Sequence, residues 1–154
     1  MDYMILGNHG DGSMHEKYFG NIQTVERLEL YVHNAVEAME SGLFLYMAHP
    51  DLMLSKYPAF DDTAKALSRQ LCREANRLSI PLEYNLYGIM KGVPEGGLGY
   101  PYGGFWEIAA EENVRAVIGV DAHAPSHFAV ADTAAAENYL KKLGITVLSD
   151  PMEG

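Results

Sequence analysis

Arg115-Ala116-Val117-Ile118-Gly119-Val120-Asp121-Ala122-His123 is an apolar run that ends in an acid and, two positions on, a histidine. In a strand, residues i and i+2 share one face, so Asp121 and His123 are expected to point the same way. A carboxylate oxygen beside an imidazole nitrogen at a strand's carboxyl end makes half of a divalent-metal site. One such pair is cheap, because Asp-x-His arises readily by chance. The ending recurs, however. Met4-Ile5-Leu6-Gly7-Asn8 runs into His9, Leu43 to Ala48 runs into His49-Pro50-Asp51, and Ile80-Pro81-Leu82 runs into Glu83-Tyr84-Asn85. Polar groups set repeatedly at the carboxyl ends of buried strands are how a β/α barrel or an open α/β sheet builds its site.

The segments between these runs carry helical periodicity. Val25, Leu28, Val32, Val36 and Met39 are spaced by three and four, predicting a helix over about 21–40 that Ser41-Gly42 stops. Asp61 or Asp62 caps a second helix with Ala64, Leu67, Leu71, Ala75 and Leu78 on its apolar stripe. A third helix is expected over about 104–112 and a fourth over 132–143, closed by Gly144. Strands are expected at Tyr3 to Leu6, Leu43 to Ala48, Leu82 to Asn85, Ala116 to Val120 and Ile145 to Leu148. Gly88 to Gly104, with Pro94 and Pro101, reads as one long irregular segment. The alternation predicts one α/β domain whose parallel strand-helix units are joined by helical crossovers.

Composition narrows the function classes. A formal net charge of −10 over 154 residues argues against a nucleic-acid binder, which needs a basic footprint. The single Cys72 excludes an internal disulfide framework and fits a reducing, cytoplasmic setting. No apolar run reaches the length of a membrane span, and the amino terminus lacks a basic-then-apolar leader pattern. Gly96-Gly97-Leu98-Gly99 lacks the Lys-Ser/Thr ending of a phosphate loop, and no Gly-x-Ser-x-Gly elbow is present.

Each candidate residue also has a plainer reading. Asp121, His123, His49 and His9 are metal-ligand candidates by strand-end placement, or polar strand ends and nothing more. Glu83 is a general base, a ligand, or a carboxylate that hydrogen-bonds a neighbouring loop. His15 and His127 lie in loops close behind the candidate ligands and fit supporting or solvent-exposed roles better than direct ligation. His33 falls on the polar side of its helix. Cys72 reads as a small buried hydrophobe, with no histidine partner to activate it.

Four motifs in order resemble the later part of the PHP superfamily, above all its histidinol-phosphatase branch. They are Ala48-His49-Pro50-Asp51-Leu52; Leu82-Glu83-Tyr84-Asn85-Leu86-Tyr87-Gly88-Ile89; Tyr100-Pro101 with Phe105-Trp106-Glu107-Ile108-Ala109; and Ile118-Gly119-Val120-Asp121-Ala122-His123-Ala124-Pro125. Gly7-Asn8-His9 resembles the preceding motif, Gly-Ser-Val-His, one residue shorter.

The resemblance implies an arc of a distorted (β/α)7 barrel with up to three divalent ions, Zn, Mn or Fe, at the strand carboxyl ends. It implies hydrolysis of a small phosphate monoester by metal-activated water. His9 and His49 would share one metal, Asp121 would ligate a second and His123 a third, with Asp121 and His123 serving catalysis. Glu83 would shape the pocket. The family's basic residue after Gly-Ile, which can meet substrate phosphate, is replaced by Met90, with Lys91 following as the candidate cation. The family's opening His-x-His strand and bridging Glu are not in this sequence. The expectation is therefore a second-half PHP domain over residues 1–154 that forms a homo-oligomer or pairs with a separate N-terminal half, and is near-inactive alone. The alternatives are a non-catalytic metal-binding or structural remnant, and a PHP module of a larger assembly.

Overall fold

The computed structural model describes residues 4–12, 17–119 and 130–149. Five strands, β1 (Met4–Leu6), β2 (Phe44–Met47), β3 (Leu82–Asn85), β4 (Arg115–Gly119) and β5 (Thr146–Val147), lie side by side in chain order. All four pairings are parallel, so the chain is an α/β protein. The crossovers are α1 (Val25–Glu40), α2 (Asp62–Arg77), a short α3 (Leu86–Lys91) followed by α4 (Gly103–Glu111), and α5 (Val130–Lys142). Parallel crossovers are right-handed, so a sheet that always advances in one direction stacks its helices on one face. The contacts agree: α1 packs on α2, and α2 on α4.

Strand alternation then sorts the two faces. Leu6, Met47, Leu82 and Ala116 are in register and buried in the hydrophobic core with the helices. Their neighbours Tyr46, Glu83 and Val117 face the other way, as do Asn85 and Gly119. The core is anchored by Phe19, Tyr31, Phe105 and Trp106, each fully buried. On α1 the buried stripe is Leu28, Tyr31, Val32, Ala35 and Met39, rotated slightly from the expected one so that Val25 and Val36 are only half-buried. On α2 the stripe is Ala64, Ser68, Leu71, Cys72 and Ala75, mostly small residues that let its neighbours approach closely. Cys72 is the buried hydrophobe expected, and burial pushes its thiol far above the ordinary range. His33 is exposed and pairs with Glu37.

Several expected boundaries are corrected. The first helix begins at Val25, because the Thr24 hydroxyl accepts the Arg27 N–H at 3.4 Å, and Phe19–Asn21 forms a separate 3-10 turn. The segment expected to be irregular from Gly88 opens inside α3. Asn85 caps that helix by accepting the Gly88 N–H at 3.1 Å. Gly88 belongs there because a Cβ at that position would run into the Tyr100 carbonyl. Arg115 pairs with Thr146 and Ala116 with Val147, so β5 ends the sheet opposite β1. The last strand is two residues long rather than four. No helix among the described residues is long and apolar enough to cross a membrane.

One acid is sealed in this core. Asp51 sits in the 3-10 turn Pro50–Leu54 with no exposed surface. Its Oδ2 accepts the Tyr102 N–H at 2.8 Å and the Trp106 indole N–H at 3.1 Å, fastening the start of α4 to the turn after β2. Burial pushes the carboxyl from 3.8 up to about 7, against the lowering effect of those donors, and the Glu83 charge adds to the rise. Below pH ~4 both folded and unfolded chains hold the proton. As pH rises toward ~7 only the unfolded chain releases it, so stability falls across that window. Three pKa units at ~1.36 kcal/mol each set an upper bound of roughly 4 kcal/mol. Urea unfolding of the metal-free protein should therefore show a smaller loss between pH 4 and 7 in Asp51→Asn, which keeps an acceptor but cannot ionise. Identical pH slopes in the two proteins would rule this out.

Candidate functional site

Three strand ends meet above the sheet. His9 follows β1 by three residues, in a turn held by Asn8, whose buried side-chain amide donates to the Tyr31 carbonyl at 2.9 Å. The His9 carbonyl accepts the Phe19 N–H, and Gly10 bridges Tyr18, so the loop returns on itself. His49 follows β2 and is buried, with its backbone in the left-handed region at φ 31. A non-glycine residue there is strained and needs its surroundings to hold it.

Two groups do so. The Glu83 carboxylate on β3 accepts the His49 backbone N–H at 3.1 Å. From the other side, the Tyr31 hydroxyl on α1 reaches the Pro50 carbonyl at 2.9 Å and the His49 carbonyl at 3.3 Å.

The two imidazoles converge. His9 Nε2 and His49 Nε2 are 3.0 Å apart, with ring centroids 4.8 Å apart and tilted by 53°. Two nitrogens on one ion at ~2.0–2.1 Å sit about 3 Å from each other, so the pair has the spacing of two ligands to a single metal. The same spacing serves a hydrogen bond in which one neutral ring donates and the other accepts. Among the described residues no group of three or more His, Cys, Asp or Glu side chains is placed to hold a metal ion. Asp121, His123, His127 and His15 lie outside the described residues, so the sequence expectations on them are neither met nor broken.

Of the roles expected of Glu83, the hydrogen bond to a neighbouring loop is present. Its carboxylate also accepts the Asn85 side-chain N–H at 2.7 Å, and it binds His49 through the backbone rather than the ring. Asn85 thereby links Glu83 to the cap of α3. Room for the carboxylate comes from β4: a Cβ on Gly119 would collide with Glu83 Oε2. Tyr46, on the same face, has its phenol pushed up by burial first and then by the Glu83 charge.

Lys91 and Met90 line different hollows. Met90 lines a hollow of about 380 Å³ between α3 and α5, with Tyr84, Ile89 and Tyr139. Lys91 Nζ lies 5.6 Å from the Tyr100 ring centroid and 5.7 Å from that of Tyr87. The Tyr100 ring in turn lies 6.1 Å from that of His49, so Lys91 and the histidine pair are separated by one aromatic ring. Lys91 lines a cavity of about 310 Å³ together with Lys56, Ser55, Asn21, Tyr18 and Tyr100. Sequence reasoning passed over Lys56 and Tyr31, and quoted Tyr100 only as part of a motif. The loop position of Lys56 just past a strand-end motif was the available sign for the first, and nothing in a helical tyrosine marks the last.

No family model and no curated protein matches the chain.

Removing the Glu83 acceptor strands two buried donors, the His49 N–H and the Asn85 amide, at about 1–3 kcal/mol each. Glu83→Ala should lower unfolding stability by that order and speed hydrogen exchange at the His49 amide. Glu83→Gln should restore the protection, and Gly119→Ala should mimic the loss by displacing the carboxylate. Unchanged exchange at His49 in Glu83→Ala would disprove the clamp.

Proposed function

We propose that this chain is part of a metal-dependent phosphoesterase of the histidinol-phosphatase type, its parallel sheet forming an arc of a distorted PHP barrel. The observation that carries the reading is the convergence of His9 and His49 Nε2 to 3.0 Å at the ends of adjacent parallel strands. The four motifs in family order support it, as does a sheet that advances in one direction without reversal. In this reading His9 and His49 hold one divalent ion, Asp121 a second and His123 a third, with Asp121 and His123 at the reacting centre. The ions, Zn, Mn or Fe, supply Lewis acidity toward the phosphoryl oxygens and an activated water.

The protein's own contribution is positioning. Glu83 and Tyr31 fix the backbone of His49 so that its ring faces His9. Tyr100 walls the site, and Lys91 meets the substrate's anionic charge. Lysine does this as a point charge rather than by the two-pronged grip of an arginine. The β1 edge, where Met4 and Ile5 are about half exposed, pairs with a strand of a second copy or of a separate polypeptide that completes the ligand set.

Imidazole binds metal only as the neutral ring, so occupancy should fall on acidification. Purified protein reconstituted with Zn or Mn should retain metal by elemental analysis. His9→Ala or His49→Ala should weaken binding by at least about tenfold, since even losing a ligand's hydrogen-bond partner costs that much. An intact fold that retains no transition metal would end the proposal. Hydrolysis of a phosphate monoester, when observed, should disappear in Asp121→Ala. Light scattering should return a mass above 17.0 kDa; a monodisperse monomer at high concentration would refute pairing at the β1 edge.

A further inference from the structure

The hollow of about 380 Å³ between α3 and α5 opens on the face of the sheet away from the histidine pair. Tyr84 of β3 forms part of its wall. Strand alternation points Tyr84 opposite to Glu83, toward the helices, where its ring meets that of Trp106 at 5.4 Å and that of Tyr139 at 5.8 Å. A volume of this size, walled mostly by apolar groups with a few polar ones among them, is typical of a small-molecule site.

The hollow is left open by residue choice on both sides. Ile89 and Met90 line it from α3 and are 54% and 43% exposed, so apolar surface stays in water unless something covers it. Ala135 and Ala136 line it from α5, with side chains too small to fill the space. Gly103, at the start of α4, leaves room for the Tyr139 hydroxyl, which would stand 3.3 Å from a Cβ there.

Charge decides the class of occupant. Among the described lining residues the one charged group is the Asp132 carboxylate, in the first turn of α5, and none is a cation. The Tyr139 phenol is pushed up by burial first, then by the Glu107 and Asp51 charges. Tyr84 is pushed up to about 12 by burial, then by Tyr139 and Asp51. Both rings therefore stay neutral, with carboxylates around them. Neutral aromatic faces and a carboxylate attract a cation, and the same carboxylates repel an anion.

We propose that this hollow binds a small organic cation, an amine carried on a compact apolar body. The body lies against Leu86, Ile89, Met90 and the two alanines, and the ammonium group meets Asp132 and the rings of Tyr84 and Tyr139. The site is separate from the histidine pair and does not rest on the phosphoesterase reading.

Matched probes test this on the metal-free protein. Phenethylamine and phenethyl alcohol differ by an ammonium in place of a hydroxyl, and phenylacetate carries the opposite charge. Phenethylamine should shift the amide resonances of Ile89, Met90, Ala135 and Ala136 saturably. It should bind at least about fivefold more tightly than the alcohol, the scale of one cation–π contact with one exposed ion pair. Phenylacetate should bind most weakly of the three. Asp132→Asn, and Met90→Lys, which brings a cation to the rim, should each at least halve the preference for the amine and leave the alcohol's affinity within about twofold. Ala135→Phe, at an exposed helical position, should abolish binding of all three probes with the circular dichroism unchanged. Equal affinity for amine and alcohol, a preference indifferent to both Asp132→Asn and Met90→Lys, or shifts that survive Ala135→Phe would overturn the proposal. So would an absence of binding; a mass by light scattering that then falls in Ala135→Phe would assign the hollow to a second copy of the chain. With no metal present, each of these outcomes leaves the phosphoesterase reading untouched.

Discussion

The hydrogen bond from the His49 backbone N–H to the Glu83 carboxylate, 3.1 Å long and buried, is what makes a site out of separate strand ends. A left-handed backbone at a non-glycine residue relaxes unless its peptide groups are held. Glu83 holds the N–H and Tyr31 the carbonyl, one from the neighbouring strand and one from the helix beneath. Both partners are fixed in turn, Glu83 by Asn85 and Tyr31 by packing edge-on against Phe19 at 5.2 Å. The backbone that carries the His49 ring is thus held by four residues, Glu83, Asn85, Tyr31 and Phe19, on three elements.

The same region carries an electrostatic cost. Asp51 and Glu83 are both buried, lie two residues and one strand from His49, and the Glu83 charge adds to the rise of the Asp51 carboxyl. The donors given to Asp51 offset part of its desolvation but leave its carboxyl near 7. An apolar residue in its place would leave the Tyr102 N–H and the Trp106 indole without an acceptor. Retaining the acid makes sense as geometry: one oxygen joins the turn after β2 to the first turn of α4, across 51 residues of sequence.

Much of the fold was legible because it rests on local periodicity. The apolar strands appear where spacing placed them, the stripes on α1 and α2 are rotated slightly from the expected ones, and Asp61 caps α2 as its residue type suggested. The failures are tertiary. Nothing local to Leu86–Lys91 announces a helix that contains Gly88. It forms because Asn85 caps it and Tyr100 leaves no room for a side chain. The last strand was expected over 145–148, but its two-residue length follows from its pairing with only Arg115 and Ala116 of β4. For the site, strand-end histidines could be named from sequence, but the role of Glu83 could not. A carboxylate that binds a backbone N–H reads the same as one that binds a metal.

Positions 90 and 91 show why a motif has to be read in three dimensions. Successive residues on a helix point about 100° apart, so a one-residue shift of a basic side chain moves it to a different face. On α3 that rotation sends Met90 into the apolar hollow beside Tyr139 and Lys91 onto Tyr100. Judged by alignment alone, a methionine where a basic residue is expected looks like lost anion recognition. Judged by the helix, the apolar residue lines a mostly apolar hollow, and the charge stands against Tyr100 in the cavity that Lys56 also lines. The cap at Asn85 fixes the phase of α3 and is hydrogen-bonded to Glu83. The placement of the cation and the placement of His49 therefore depend on the same carboxylate.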